Sequence, residues 1–181
     1  MLLVCDNRGM RVERSFAFLD LCGFTRFTDL HGDGEAVIAL TQFRNSVREI
    51  ASIYAVRVDK WLGDGVMLVS PTRRRLVEAN LAIMERVEAS DLVLPLRGGM
   101  AVGPVLLLEG DDYVGSAVNL ASRLCAKAAP GELLATDELT SDVPKSAEVI
   151  SVGALDVSGF AQSVEVVRIQ ARTQIDLAAA G

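Results

Sequence analysis

The sequence predicts an α+β fold, in which helices pack on one face of a β-sheet. Short apolar runs with strand character alternate with longer segments of helical periodicity, in the order β-α-β-β-α-β. In addition, a Gly-Asp-Gly step separates two apolar runs, which is a strong signal for a β-hairpin. With 181 residues, 50% of them hydrophobic, the chain fits one domain with a substantial core.

The first half of the chain contains the hairpin and a long helix. The run SFAFLDL is apolar on both faces, as a buried strand is, and Gly23 turns the chain after it. Gly63-Asp64-Gly65 connects the two strands of the hairpin. The predicted elements are a strand at 15–21, a short helix at 24–31, a long helix at 34–55, and strands at 57–62 and 66–70.

The second half completes the core and adds strands to it. Pro71 suits the first turn of a helix, and Pro130-Gly131 ends another helix. The predicted elements are a helix at 71–89, a strand at 94–108, a short return strand at 111–114, a helix at 116–128, a strand at 132–136, and edge strands at 148–152 and 164–169. Together they give a ferredoxin-like, palm-type βαββαβ core with additional C-terminal strands. We predict a polar lead-in at 1–14, the folded domain at 15–171, and a loose tail at 172–181.

Composition narrows the classes of function. The chain has 18 Lys and Arg against 24 Asp and Glu, a net charge of -6, which repels a phosphate backbone and argues against nucleic-acid binding. A local basic pocket for a single nucleotide is still compatible with that charge. Three cysteines without a C-x-x-C pair argue against a disulfide framework or a zinc site, and a cytoplasmic location is expected. No apolar run is long enough to span a bilayer, so we expect no membrane contact within this chain.

Two aspartates are candidate metal ligands. Asp20 lies inside an apolar strand, where a carboxylate needs a cation or strong hydrogen-bond donors nearby. Asp64 lies in the hairpin, where it can meet Asp20, and paired carboxylates suit hard cations such as Mg²⁺ or Mn²⁺. Each residue also has a simpler interpretation, Asp20 as a salt-bridge partner and Asp64 as a turn residue. For Asp64 taken alone, the turn interpretation is favoured.

Other polar residues are weak signals when taken singly. Asn119 and Arg123 are four residues apart and share one helix face, which is usually a solvated surface. Arg97 precedes two glycines at a strand start, where a ligand can approach the backbone closely. Lys60 fits the role of an edge-strand lysine that prevents aggregation. His31, the sole histidine, lies in a predicted polar turn without an identifiable partner, so a histidine base is not expected.

The combination of five motifs is far more specific than any one of them. The motifs FAFLDLCGFTRFT, KWLGDGVM, LRGGMAVGPV, DYVGSAVNLASRL and AAPGELLAT follow one another in this order. Together they resemble the catalytic domains of the class III adenylyl and guanylyl cyclases. The resemblance extends from about Ser15 to Ile169, nearly the whole chain.

The resemblance implies a role for each candidate residue and an assembly. The implied roles are metal binding for Asp20 and Asp64, recognition of adenine for Lys60 and Asp112, triphosphate binding for Arg97, and ribose orientation and transition-state stabilisation for Asn119 and Arg123. It also implies two divalent metal ions, Mg²⁺ or Mn²⁺, and a homodimer with active sites at the interface. The implied reaction is attack of the ribose 3′-hydroxyl of ATP on the α-phosphate, which yields 3′,5′-cyclic AMP and pyrophosphate.

Hydrogen-bonding polarity supports ATP as the substrate. Adenine presents an acceptor at N1 and a donor at N6, which suit Lys60 as donor and Asp112 as acceptor. Guanine presents the reverse pattern at that edge and leaves both groups badly paired, which is a strong basis for rejection.

Arg123 is expected to stabilise charge that develops in the transition state.

Two departures from the family pattern keep alternatives open. Ser158-Gly159 stands where the family commonly has a lysine before a glycine that contacts the triphosphate. The stretch between Gly103 and Asp112 is shorter than in many relatives, and the family uses that region in dimer contacts. The alternatives are a guanylyl or promiscuous purine cyclase, and a weakly active or degenerate module that binds nucleotide without turning it over. A diguanylate cyclase is disfavoured because the GDG turn lacks the GG[DE]EF pattern.

Overall fold

The computed structural model describes residues 11–91, 94–108 and 112–172. In chain order, the elements are β1 (Arg11–Leu21), α1 (Phe24–Ile53), β2 (Arg57–Leu62), β3 (Gly65–Ser70), α2 (Arg73–Glu88), β4 (Leu96–Leu107), β5 (Tyr113–Val114), α3 (Ser116–Lys127), β6 (Leu133–Thr136), a 3₁₀ helix (Asp137–Asp142), β7 (Ala147–Leu155) and β8 (Val164–Ala171). The α+β class is confirmed. Most of the predicted lead-in and tail, and residue 111 of the return strand, lie outside the described residues.

One mixed sheet organises these elements. The strand order is β2-β3-β1-β4-β6-β8-β7, and β5 pairs with β4 beside this path. β1 is antiparallel to both β3 and β4, and β2 is antiparallel to β3, which is the predicted ferredoxin-like core. β4 and β6 are parallel, and α3 lies in the crossover that this pairing requires.

Helices cover both faces of the sheet, which corrects the prediction of helices on one face. Side chains of α1 and α2 form one core with the odd-numbered residues of β1, such as Leu19. Side chains of α3 form a second core with the even-numbered Phe16 and with Ala101 of β4. Because β1 is apolar on both faces, its second face also has to be covered, and α3 covers it.

A glycine lets α3 approach the sheet closely. A Cβ atom at Gly99 of β4 would lie 2.1 Å from the backbone nitrogen of Cys125 and 2.3 Å from the carbonyl oxygen of Ala121. Those distances are far below van der Waals contact, so only glycine fits there. The backbone of α3 therefore packs directly on β4, next to the strand start that carries Arg97.

Several boundaries differ from the predicted ones. β1 begins at Arg11, four residues before the predicted start, because Arg11 to Arg14 continue the ladder with β4. The two predicted N-terminal helices are one helix with a kink at Gly32, where φ is 82°. His31, the last residue of the predicted short helix, therefore lies within a longer helix, and the polar turn predicted around it is absent from the described structure.

The last two strands also differ from the prediction. β8 lies between β6 and β7, so of these two predicted edge strands β7 is at the edge of the sheet and β8 is interior. An interior position explains why both Val166 and Val167 are buried, although adjacent residues of a strand point to opposite faces.

Candidate active site

Three neighbouring strands bring Asp20 next to the hairpin turn and to Arg97. Asp20 is the penultimate residue of β1, and it pairs with Gly65 of β3 on one side and with Arg97 of β4 on the other. The backbone N–H of Leu21 donates to the carbonyl oxygen of Asp64 at 3.3 Å, which ties the turn to the end of β1. The carboxylate of Asp20 is 26% exposed, so it is accessible from solvent although its strand is buried.

Arg97 binds the carboxylate of Asp20 directly. Its Nε and Nη2 donate to the same oxygen, Oδ2, at 2.9 Å and 2.7 Å, and its Nη1 donates to the carbonyl oxygen of Ala126 in α3 at 3.4 Å. The hydrogen bonds to Asp20 raise the pKa of Arg97, which keeps the guanidinium charged. Asp20 is therefore a salt-bridge partner, as its simpler interpretation predicted, and Oδ1 takes no part in this interaction.

Asp64 is the second carboxylate at this end of the sheet. Partial burial raises the pKa of its carboxyl, and the negative charge of Asp20 raises it further. Gly63, with φ of 67°, and Asp64 form the two-residue turn, whereas Gly65 is already the first residue of β3. A Cβ atom at Gly65 would lie 3.3 Å from Oδ1 of Asp20 and 3.0 Å from the carbonyl oxygen of Leu19, so a side chain there would crowd the site.

The donor chemistry of this pair fits a divalent cation. Two carboxylates that repel each other are stabilised by a hard cation, and Mg²⁺ commonly takes one or two protein carboxylates and completes its shell with water and phosphate oxygens. Within residues 11–91, 94–108 and 112–172, no cluster of three or more His, Cys, Asp or Glu side chains forms a cage made of protein ligands alone.

One of the two carboxylates, that of Asp20, lies at a small open pocket between the sheet and α3. The pocket has a volume of about 210 Å³ and is lined by Asp20, Arg97, Leu62, Ser122, Cys125 and Ala126, among others. Burial raises the pKa of the Cys125 thiol to about 12, so this side chain is a neutral wall. A larger cavity of about 690 Å³ lies between α2 and β8, but its lining is mainly apolar and includes none of the predicted site residues.

Lys60 and Asp112 form a second polar cluster. Lys60 lies on β2 and Asp112 lies just before β5, 52 residues later, and their side chains form an ion pair. The hydrogen bond to Asp112 raises the pKa of Lys60. The backbone of Asp112 is held by the N–H of Leu108, which donates to its carbonyl oxygen at 2.9 Å. Both side chains are about half exposed, so an incoming ligand can separate the pair at low cost.

Asn119 and Arg123 lie on the outer face of α3. Both side chains are exposed, and neither makes a hydrogen bond or ion pair with any residue in the described part of the chain. Ser122 and Ala126 of the same helix line the pocket beside Asp20, whereas Asn119 and Arg123 do not. The structure thus brings Asp20, Asp64 and Arg97 together, pairs Lys60 with Asp112, and leaves Asn119 and Arg123 outside both groups.

Ser158 lies in an exposed turn between β7 and β8. Gly159 has φ of 90°, and the N–H of Phe160 donates to the carbonyl oxygen of Val157 at 3.0 Å, which closes the turn. Since Val157 is buried, the turn is anchored while Ser158 faces solvent. A serine hydroxyl cannot supply the positive charge of the lysine that the resemblance leads one to expect.

Sequence reasoning missed one residue near the turn, Arg44 of α1. Its Nη2 donates to the carbonyl oxygen of Gly63 at 3.2 Å, directly before Asp64. Arg44 belongs to a helix that is already rich in charged residues, so its spacing in the sequence carried no signal. Only the tertiary contact distinguishes it from the other arginines.

Solved structures confirm the fold. The chain superposes on the adenylyl cyclase CyaB from P. aeruginosa with a TM-score of 0.79 at 24% identity, over 91% of this chain and 97% of that one. It superposes on the guanylate cyclase domain of RhGC from Catenaria anguillulae, solved in complex with GTP, with a TM-score of 0.80 at 19% identity, over 91% and 100%. No family model matches the sequence.

Sequence relatives decide the family. The chain is 33% identical over 133 residues to a pH-sensitive adenylate cyclase of Mycobacterium tuberculosis. The aligned stretch covers 72% of this chain and 33% of that protein. It is 32% identical over 143 residues to an adenylate cyclase of Streptomyces coelicolor, and this alignment covers 75% of this chain and 37% of that protein. The chain belongs to the class III nucleotidyl cyclases.

A further relative of this cyclase domain is an uncharacterized protein of Mycobacterium tuberculosis, 38% identical over 157 residues, or 87% of this chain. The cyclase domain spans 41% of that protein, and about a third of the named adenylate cyclases. Among the helices in the described part of the cyclase domain, none has the length and apolarity to cross a membrane.

Proposed function

We propose that this cyclase domain converts ATP to 3′,5′-cyclic AMP and pyrophosphate, as a homodimer whose active sites lie between the two chains. The observation that carries the choice of ATP is the contact between Lys60 and Asp112. The polarity of the adenine edge calls for a donor and an acceptor side by side, and these two residues, 52 positions apart in sequence, lie side by side.

The carboxylate pair provides the metal-binding half of the proposed site. Asp20 and Asp64 would hold the divalent ions, which when bound supply positive charge to the ribose 3′-hydroxyl and to the leaving pyrophosphate. Arg97 lies within hydrogen-bond distance of Asp20, and its guanidinium can turn from that carboxylate toward the triphosphate. These three residues therefore act on the phosphate end of the nucleotide.

The exposed face of α3 provides the other half. Asn119 and Arg123 have no partner in the described part of their own chain, so their side chains are available to a nucleotide held by a second chain. Asn119 orients the ribose, and Arg123 stabilises negative charge on the oxygens of the α-phosphate in the transition state. In a two-fold dimer each of two equivalent sites then takes its metal aspartates from one chain and its Asn-Arg pair from the other.

A product assay tests this proposal. Purified protein is incubated with ATP or GTP and with Mn²⁺ or Mg²⁺, and the products are separated by chromatography. We expect cyclic AMP from ATP, and a loss of at least about 100-fold in Asp20→Asn and in Asp64→Asn, because each removes a charge on which the transition state depends. The matched control is Asp91→Asn, at an exposed aspartate after α2, which should keep full activity.

The products of this assay distinguish the proposed adenylyl cyclase from the alternative functions. Cyclic GMP as the main product would replace the ATP assignment with a guanylyl cyclase. Nucleotide binding without any cyclic product would support the degenerate module, which the exposed Ser158 favours because one triphosphate contact is missing.

A further inference from the structure

We propose that Arg44 is a positioning residue, which holds the carboxylate of Asp64 in the geometry that binds a divalent cation. The inference rests on the proposed role of Asp64 as a metal ligand and extends it to a residue on another element. It starts from the contact between Nη2 of Arg44 and the carbonyl oxygen of Gly63, at 3.2 Å. The next residue in the chain is Asp64, so this contact acts on the peptide unit that orients it.

The turn is held from two sides. On one side, the N–H of Leu21 in β1 donates to the carbonyl oxygen of Asp64 at 3.3 Å. On the other side, Arg44 of α1 holds the carbonyl oxygen of Gly63. A two-residue turn with a glycine is mobile when only its strand ends are fixed, because glycine has a wide range of backbone conformations. The two contacts together fix consecutive carbonyl groups of the turn.

The guanidinium of Arg44 is itself held in place. It lies over the indole ring of Trp61, 5.1 Å from the ring centroid, and the ring of Phe43 meets the same indole edge-on at 6.3 Å. The Nε of Arg44 is buried and has no hydrogen-bond partner in the described residues. A buried N–H group without a partner destabilises the fold, so other contacts of the guanidinium have to stabilise Arg44 in this conformation. The stacking on Trp61 and the bond to Gly63 are those contacts.

Arg48 provides an internal control. Its guanidinium lies over the same indole at 5.2 Å, but its hydrogen bond goes to Asn45 of its own helix, at 3.4 Å. Arg44 and Arg48 therefore share a charge and a stacking partner, and they differ in the contact with the turn. A variant pair at these two positions isolates that contact.

The direction of the change in Mn²⁺ affinity distinguishes a positioning role of Arg44 from a purely electrostatic role. Removing a positive charge near a cation site strengthens cation binding if the charge acts only through its field. Removing a residue that holds a ligand in place weakens cation binding. The two roles of Arg44 therefore predict opposite changes in the affinity for Mn²⁺.

Direct Mn²⁺ binding to the full chain, followed by electron paramagnetic resonance of the free ion without nucleotide, tests the proposal. We expect Arg44→Met to weaken Mn²⁺ binding about fivefold, the effect of one lost hydrogen bond, while Arg48→Met binds as tightly as the wild type or more tightly. Arg44→Lys keeps the charge but has a single donor group in place of the planar guanidinium, and we expect it to bind Mn²⁺ more weakly than the wild type. Thermal unfolding shows which variants are folded.

Unchanged or tighter binding in folded Arg44→Met would overturn the proposal. If Arg44→Met does not fold, wild-type affinity in Arg44→Lys would overturn it, because the charge alone would then suffice. An equal loss in Arg48→Met would also overturn it, since the stacking on Trp61 would be responsible. Failure of the proposed function is distinct: a wild type that makes no cyclic nucleotide but loses Mn²⁺ affinity in Arg44→Met contradicts the reaction and supports the positioning role.

Discussion

The guanidinium of Arg97 donates two hydrogen bonds to one carboxylate oxygen of Asp20, from Nε at 2.9 Å and from Nη2 at 2.7 Å. The two residues form a cross-strand pair between β1 and β4, so the sheet register holds them together. The residue proposed to bind the triphosphate is thus paired with a residue proposed to bind the cation. A cation and the guanidinium compete for the same carboxylate, and the triphosphate gives the guanidinium a second partner.

This competition predicts opposite effects in Arg97→Met. Mn²⁺ binding without nucleotide should become tighter, because the competing cation is gone. Turnover of ATP should fall by about 100-fold, because a preorganised charge on the phosphates is lost. Titration calorimetry with Mn²⁺ and a product assay measure the two effects. Arg168→Met, at a half-exposed arginine 3.9 Å from Glu132, is the control and should change neither. A fall in both quantities would show that Arg97 mainly supports the local fold.

Base selection should depend on Lys60 and Asp112 together. In the variant with Lys60→Glu and Asp112→Ala, we expect turnover of ATP to fall at least about 100-fold more than turnover of GTP, since adenine loses both matched partners. Parallel assays with the two nucleotides give the ratio. Lys145→Glu repeats the substitution made at Lys60 at an exposed residue elsewhere and should leave the ratio unchanged. An unchanged ratio in the double variant would remove both residues from base recognition.

Complementation between dead variants tests the shared site. Homodimers of Asp20→Ala and of Arg123→Ala should both be inactive, because every site lacks one group. In a heterodimer, one site collects both defects and the other site is intact. Free exchange puts half of the dimers in this state, so activity should return to about a quarter of the wild type.

Co-expression avoids slow subunit exchange, and a high protein concentration favours the dimer if the short stretch between Gly103 and Asp112 weakens it. Heterodimers are isolated through two different affinity tags before the assay. Two copies of Asp20→Ala with different tags serve as the control and should stay inactive. Purified mixed heterodimers without activity would contradict a site shared between chains.

Two glycine-to-alanine variants should change stability in opposite directions. Gly99→Ala puts a methyl group 2.1 Å from the backbone of α3, and we expect it to destabilise the fold by about 3 kcal/mol or more. Gly34→Ala lies in exposed α1, where an added Cβ has no neighbour within 4 Å, and should stabilise the fold by about 0.5 to 1 kcal/mol. Urea unfolding measures both. Equal stabilities would mean that α3 can move away from β4 without cost.

The hairpin shows how far local sequence determines structure. The Gly-Asp-Gly step predicted the turn, and the strand at 57–62 has the predicted bounds, because turn chemistry and alternation are local properties. The two glycines of this step are needed for different reasons. Gly63 takes the left-handed conformation of the turn, which is a local requirement. Gly65 is needed for packing, because Leu19 and Asp20 leave no room for a Cβ.

By itself, the sequence determined the α+β class, the order of the core elements and the family, through apolar periodicity and through motifs whose spacing survives in a linear chain. Only the tertiary structure decided which partners the polar side chains take. The pairing of Asp20 with Arg97 and of Lys60 with Asp112 depends on sheet register and on chain segments far apart in sequence. The tertiary structure also decided the contact of Arg44 with the turn. It decided as well that a second helical layer covers the sheet, because both features depend on how distant segments pack.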